Sequence, residues 1–150
     1  MAGLVFGALI IPRMKQITLS HTTALAALRD LRTNGSISQS LLSIMMDTDT
    51  KIHVLTSDIN KIRNSKNYIR HFQPKIIPNK SFIEINEKYR MTCPEFMIIQ
   101  MASKLSFEKL ALLVLELCGT YSIDPQTNSF VSTEHSITNI SKIQNYLNRY

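Results

Sequence analysis

The strongest constraint on the fold is the stretch from Met91 to Tyr121, which has two helix starts in close succession. Pro94 suits the first turn of a helix, because the N–H that proline lacks would have no partner there. Ser106 is a favoured N-cap residue and begins the second helix. The stretch therefore predicts two helices joined by a short turn, over 94–103 and 107–118.

The second of these helices is apolar on almost every side from Leu110 to Leu115. A helix without a polar face is normally buried, so we predict that it lies at the centre of the molecule. Gly119 follows it, and a glycine at this position commonly adopts the left-handed conformation that ends a helix. The first helix has apolar residues on one face only, at Met97, Ile98, Met101 and Ala102.

Helical periodicity predicts two further helices nearer the ends of the chain. The helix over 21–33 has its apolar face at Ala24, Leu25, Leu28 and Leu31. Gly35 follows it as a left-handed C-terminal residue. The helix over 139–149 also has one apolar face, and Thr138 precedes it as the expected N-cap.

Between the first helix and Met91 the apolar pattern becomes alternating. Four short runs fit β-strands, namely K-I-H-V-L-T-S, N-Y-I-R-H-F-Q, S-F-I-E-I-N and Y-R-M-T. The links between them are too short for a helical crossover, which favours antiparallel pairing. We predict an α+β fold in which a small, mostly antiparallel sheet of about four strands packs against three or four helices. The three later helices cover one side of the sheet, and the helix over 21–33 lies near its edge.

The length of the chain, 150 residues, suits a single domain. Its first residues are apolar, and Arg13 and Lys15 follow the apolar run, whereas the basic residues of a signal peptide precede it. The run is also shorter than the ~20 residues that a membrane span requires. We predict an extension over 1–16 that lies outside the fold, one α+β module over 17–150, and no membrane segment.

The cysteines and histidines form no recognisable site by their spacing. Cys93 and Cys118 each lie in or beside an apolar helix, so we interpret them as reduced, buried thiols of a cytoplasmic protein. Zinc ligands in small motifs are closely spaced along the chain. No such spacing joins the cysteines to the four histidines, His21, His53, His71 and His135. We therefore assign no metal ligand and no cofactor.

Three residues are the strongest candidates for catalysis, and we assign a structural role to each. Cys93 stands at a helix N-terminus, which lowers the pKa of a thiol, but the N-cap role explains the position more simply. His21 follows Ser20 at another helix start, with no third group to orient it. Glu84 lies in F-I-E-I-N-E-K, which lacks the E-x-K spacing of a metal-dependent nuclease. The sequence predicts no enzyme activity and no catalytic residue.

The net charge of +6 belongs entirely to the middle third of the chain. Between Lys51 and Met91 there are nine basic and three acidic residues, whereas the rest of the chain has eight of each sign. Six of these basic residues are candidates for binding a nucleic acid or a partner protein: Lys61, Arg63, Lys66, Arg70, Lys75 and Lys80. Tyr68 and Phe72 lie among them and could stack on bases.

Three interpretations of this basic segment stay open. The first is a solvated basic face with its aromatic residues turned inward, since surplus charge has many ordinary causes. The second is a surface for nucleic acid. The third is a docking surface for an acidic partner protein.

Three segments together resemble a group of uncharacterised bacterial proteins in their order and spacing. They are L-S-H-T-T-A-L (Leu19 to Leu25), I-H-V-L-T-S…I-R-N-S-K-N-Y-I-R-H-F (Ile52 to Phe72) and M-T-C-P-E-F-M-I-I-Q-M-A…L-E-L-C-G-T-Y (Met91 to Tyr121). That group resembles AbiEi-type antitoxins and transcriptional regulators. Its longer members resemble very-short-patch-repair-like endonucleases in their C-terminal half. The resemblance covers about Ile17 to Tyr150.

Two domains of the longer relatives are not expected in this chain. AbiEi-type proteins usually begin with a winged helix-turn-helix, whereas only sixteen residues precede Ile17. The nuclease-like members continue into a PD-(D/E)xK domain after the final helix, whereas this chain ends at Tyr150. The resemblance implies a non-enzymatic regulatory or interaction module that binds nucleic acid or a cognate toxin protein through a basic face. The alternative is the recognition half of a truncated endonuclease-like protein.

Overall fold

A computed structural model describes residues 16–39, 41, 43, 51–73, 76–123, 127 and 129–150 of the chain. Within these residues a five-stranded mixed sheet, a separate two-stranded sheet and several helices form an α+β fold, which confirms the predicted class. The extension predicted over 1–16 lies outside the described residues, except for Gln16. In the described part of the chain, no helix combines the length and the apolar character that crossing a membrane requires.

The elements are numbered along the chain. The five-stranded sheet contains β1 (Ile17–Leu19), β2 (Ile52–Thr56), β3 (Tyr68–Phe72), β4 (Phe82–Glu84) and β5 (Tyr89–Thr92). The two-stranded sheet contains β6 (Tyr121–Ile123) and β7 (Phe130–Ser132). The helices are α1 (His21–Asn34), α2 (Pro94–Ala102), α3 (Phe107–Cys118) and α4 (Ile140–Leu147), and a 3-10 turn covers Ile59–Lys61.

The five-stranded sheet has the order β3-β2-β1-β5-β4, so the unpredicted strand β1 lies at its centre. β1 pairs antiparallel with β2 and parallel with β5. β2 pairs parallel with β3, and β4 pairs antiparallel with β5. The prediction of a mostly antiparallel sheet is therefore corrected to a mixed sheet. The link over 57–67, which includes the 3-10 turn, is long enough to return the chain to the starting end of β2 without a full helix.

Helix α1 packs against the interior strands β2 and β5 and against α2, and not near the edge of the sheet as predicted. Its Ala24 and Ala27 are fully buried, and side chains of this size allow a helix to approach a sheet closely. The main core combines α1 with the sheet and with α2, through residues such as Leu19, Leu28, Val54, Met91 and Met97.

Helix α3 is not central, so that prediction is wrong. Only Leu113, Glu116 and Leu117 are buried along it. The opposite face is exposed to solvent: Phe107 is 81 % exposed, Leu112 is 66 % exposed and Leu115 is 57 % exposed. The buried face packs against α2 and β6.

Two arginines of α1 fix the C-terminal part of α3. Arg29 binds the buried carboxylate of Glu116 in a bidentate manner, with N···O distances of 2.7 and 2.6 Å. Arg32 donates to the backbone carbonyls of Glu116 at 3.1 Å, of Tyr121 at 2.8 Å, and of Gly119. These bonds satisfy backbone acceptors at and beyond the end of α3, which its own turns leave without donors.

The predicted helix ends are partly corrected. Gly35 is left-handed as predicted, with φ 69°. Gly119 is not left-handed, since its φ is −85°. A glycine is required there by space, because a Cβ would lie 2.7 Å from the Tyr121 ring. Asn139, and not Thr138, caps α4 by accepting from the Lys142 N–H at 2.9 Å.

Candidate functional site

Three histidines from three different elements meet in one cluster, which we call the histidine cluster: His21, His53 and His71. His21 begins α1, His53 lies in β2 and His71 lies in β3. The rings of His21 and His71 stack with their centroids 3.7 Å apart, and Nδ1 of His53 lies 2.9 Å from Nε2 of His71. One ring nitrogen from each histidine lies within 4.8 Å of the other two.

The pairing of the strands brings these histidines together. His53 lies opposite Ile69, and His71 lies opposite Leu55, in the parallel β2–β3 pair. Residues two apart on a strand share a face, so His53 and His71 lie on the same face of the pair. The N–H of Ser20 donates to the carbonyl of His53 at 2.9 Å, which places the start of α1 beside β2.

The backbone of His21 has an uncommon conformation. Its φ is +50°, in the left-handed region that few residues other than glycine adopt. Histidine is among the residue types enriched there, and such a conformation persists only where the surrounding structure holds it. Here Ser20 Oγ lies 3.0 Å from Nδ1 of His21, and the ring of His71 stacks on the imidazole. The backbone at the helix start therefore directs the imidazole into the cluster.

Burial keeps the histidine cluster uncharged at neutral pH. It is the main cause that lowers the pKa of His21 to about 4. Protonation of His71 or His53 lowers this pKa further, and so does the cation of Lys104. Burial also lowers the pKa of His53 and the pKa of His71. All three imidazoles therefore offer a nitrogen lone pair near pH 7.

The absence of a short spacing between these histidines led the sequence analysis to assign no metal ligand. The spacing of the histidines along the sequence does not reveal the histidine cluster, because β1–β2 and β2–β3 pairing brings its members together in the fold. One sequence signal was present: His53 and His71 each lie inside a predicted apolar strand, where a polar ring is uncommon and needs a partner.

Three of the six candidate basic residues lie on the segment that precedes β3: Lys61, Arg63 and Lys66. We call residues 62–67 the basic loop, and its Arg63 and Lys66 are exposed. The loop is bound to β3 by hydrogen bonds. Ser65 N–H donates to the Tyr68 carbonyl at 3.1 Å, and Arg70 N–H donates to the Asn64 side chain at 2.8 Å.

Arg70 connects this loop to the strand by its side chain as well. Its guanidinium donates to the carbonyl of Arg63 and lies 5.5 Å from the centre of the Tyr68 ring. Phe72, two residues further along the same strand face, is 44 % exposed. Arg63, Lys66 and Arg70 are thus grouped at one edge of the sheet, with an accessible aromatic ring nearby.

The six predicted binding residues do not form one face. Lys80 lies directly before β4, which is the opposite edge strand from β3. Lys61 ends the 3-10 turn, but its side chain lies outside the described part of the structure, as does the whole of Lys75. The separation arises because the chain crosses the sheet between β3 and β4, which a count of charges along the sequence does not show.

The surroundings of Cys93 and Glu84, the other two candidates for catalysis, fit a structural role for each. Burial raises the pKa of the Cys93 thiol to about 12, so the helix N-terminus does not activate it. Cys93 stands at the N-cap of α2 but makes no side-chain capping hydrogen bond. Glu84 is exposed and accepts from the Gln16 amide at 2.5 Å.

Comparison of the chain with protein-family models, with curated proteins and with solved structures found no match. The resemblance to AbiEi-type proteins therefore stays a prediction from the sequence.

Proposed function

We propose that this chain is a non-enzymatic interaction module that binds the phosphate backbone of a nucleic acid through the basic loop and the adjoining part of β3. The observation that carries the proposal is the exposure of Arg63 and Lys66 on a loop that hydrogen bonds hold against β3. Among the described residues, neither side chain forms an ion pair. Both charges are therefore available to a ligand.

The charge balance around the loop favours an anionic ligand. Residues 51–73 contain five basic residues and one acidic residue, Asp58, a surplus of four. Clustered positive charge attracts phosphate groups and gives affinity that depends on salt. Because the loop is already fixed to β3, binding orders few further residues, and the entropy cost of association is small.

Two features favour nucleic acid over a partner protein. The carbonyl of Tyr68 and the N–H of Arg70 are already bonded to the loop, so a partner strand cannot pair with β3 at these positions. The exposed ring of Phe72 lies beside Arg70 and could stack on an unpaired base.

The two free cysteines, Cys93 and Cys118, support a reducing compartment such as the cytoplasm.

The proposal is tested by measuring the binding of labelled duplex and single-stranded DNA across a series of salt concentrations. We expect the logarithm of the binding constant to fall linearly with the logarithm of the salt concentration. The double variant Arg63→Ala/Lys66→Ala removes two phosphate contacts, so it should bind more weakly and show a salt slope smaller by about 2.

The matched control is Lys109→Ala/Lys142→Ala, which makes the same change in net charge at exposed positions on α3 and α4. It should bind DNA with nearly the wild-type slope. An equal loss in both double variants would show that net charge alone acts and would contradict the proposed surface. Absence of DNA binding at low salt, with retained binding of an acidic polypeptide, would instead support the docking of a partner protein.

A further inference from the structure

We infer that the histidine cluster is a binding site for a divalent transition-metal ion of the zinc class, with His21, His53 and His71 as the protein ligands. The inference is independent of the proposed function, because it depends on other side chains and a different chemistry.

The distances between the ring nitrogens suit such an ion. Zinc binds histidine nitrogen at about 2.0–2.1 Å in tetrahedral geometry, which separates two ligand nitrogens by about 3.4 Å. In the cluster, Nδ1 of His53 and Nε2 of His71 are 2.9 Å apart, and all three candidate nitrogens lie within 4.8 Å of one another. These values bracket the required separation, and binding of the ion requires the stacked rings of His21 and His71 to turn until their lone pairs converge.

The chemistry of the ligand set selects the class of metal. The cluster offers three imidazoles and neither a carboxylate nor a thiolate. Imidazole nitrogen suits zinc, copper, nickel and cobalt, whereas calcium and magnesium require several oxygen ligands. Three protein ligands leave one tetrahedral position for water or for a group of a partner.

The surroundings already orient one of the ligands. Ser20 Oγ lies 3.0 Å from Nδ1 of His21 and can accept its hydrogen. That contact leaves Nε2 of His21 with a lone pair, which is the usual way in which an outer partner fixes a metal-binding tautomer. The left-handed backbone of His21 holds the ring in this position.

Metal binding requires one hydrogen to move within the cluster. The contact between Nδ1 of His53 and Nε2 of His71 contains a single hydrogen, carried by one of the two nitrogens. On binding, this hydrogen passes through solvent to the other nitrogen of the same ring, so both facing nitrogens present lone pairs. The imidazoles stay neutral, and no proton is lost overall. Among the described residues, the cation of Lys104 acts on His21 and His71 and opposes the ion.

The direct test is calorimetric titration of the full chain with zinc chloride at neutral pH. We expect saturable binding of one ion per chain. His53→Gln and His71→Gln each remove one ligand, and each should weaken binding at least about 10-fold, the lower end of the loss seen even for outer partners. Lys104→Gln removes the opposing charge and should strengthen binding.

The matched control is His135→Gln, because His135 is the remaining histidine of the chain and lies exposed outside the cluster. It should bind zinc as the wild type does. Imidazole NMR spectra of the wild type provide a readout that needs no variant: zinc should shift the ring signals of the three clustered histidines and leave those of His135 unchanged. Absence of stoichiometric binding by the wild type, or equal shifts at all four rings, would overturn the inference.

Discussion

At the scale of single residues, His21 shows most clearly how the fold determines chemistry. It is buried, its backbone is left-handed, and its ring stacks on that of His71. The stacking depends on the pairing of β1 with β2 and of β2 with β3, which no local sequence pattern reveals. The sequence predicts a helix start at His21, which the structure confirms. It favours a capping or packing role for this residue and gives no sign of its contacts with His53 and His71.

The lowered pKa of His21 predicts how stability depends on pH. An unfolded histidine has a pKa near 6.5, whereas the pKa of folded His21 is about 4. Between these values the unfolded state binds more protons than the folded state, so the free energy of unfolding falls as the pH falls through this window. The lowered pKa values of His53 and His71 act in the same direction.

This prediction is checked by urea unfolding at pH 7 and at about pH 4.5, within the window where the two states differ in protonation. His21→Asn is the informative variant, since asparagine tolerates the left-handed backbone and does not titrate. It should lose less stability between the two pH values than the wild type does. An identical loss in both proteins would show that His21 does not contribute to the pH dependence.

At the scale of secondary-structure elements, periodicity was sufficient for the local structure. The alternating runs became β2, β3, β4 and β5, and the four predicted helices formed within two residues of their predicted bounds. The three-residue strand β1 was missed because it is too short to show an alternating pattern. The parallel β1–β5 pair was missed because it depends on where β1 inserts into the sheet. The parallel β2–β3 pair was missed because it depends on the link over 57–67 returning the chain to the starting end of β2.

The position of α3 could not be read from its composition. This helix carries apolar side chains on almost every side, yet one of its faces is exposed to solvent and the buried face includes Glu116. A buried carboxylate requires a partner, and Arg29 of α1 provides it. The ion pair and the carbonyl bonds of Arg32 therefore act together with the buried Leu113 and Leu117 to fix which face of α3 turns inward.

Two leucine substitutions test this orientation. Leu117 is fully buried, so Leu117→Ala should lower the free energy of unfolding by about 2–5 kcal/mol. Leu112 is 66 % exposed, so Leu112→Ala should change it by less than about 0.5 kcal/mol. Denaturant unfolding of both variants measures the difference. Equal losses would mean that the outer face of α3 is buried in solution.

At the scale of the whole molecule, both proposed sites use the edge strand β3, and Arg70 and His71 lie on opposite faces of it. β3 follows the basic loop, contains Arg70, and contributes His71 to the histidine cluster. The basic segment is visible along the sequence, but only the topology shows that Lys80 lies at the far edge of the sheet. We therefore expect ligands to bind at the edge of the sheet that β2 and β3 form.

We propose that a nucleic acid binds at the basic loop and the adjoining strand β3. The most direct measurement is the change in backbone amide NMR signals when a short single-stranded DNA is added to the full chain at low salt. We predict that the largest changes fall on residues 62–72 and that added salt reverses them. Changes centred on α3 and α4, or no changes at any residue, would contradict nucleic-acid binding at the basic loop and β3.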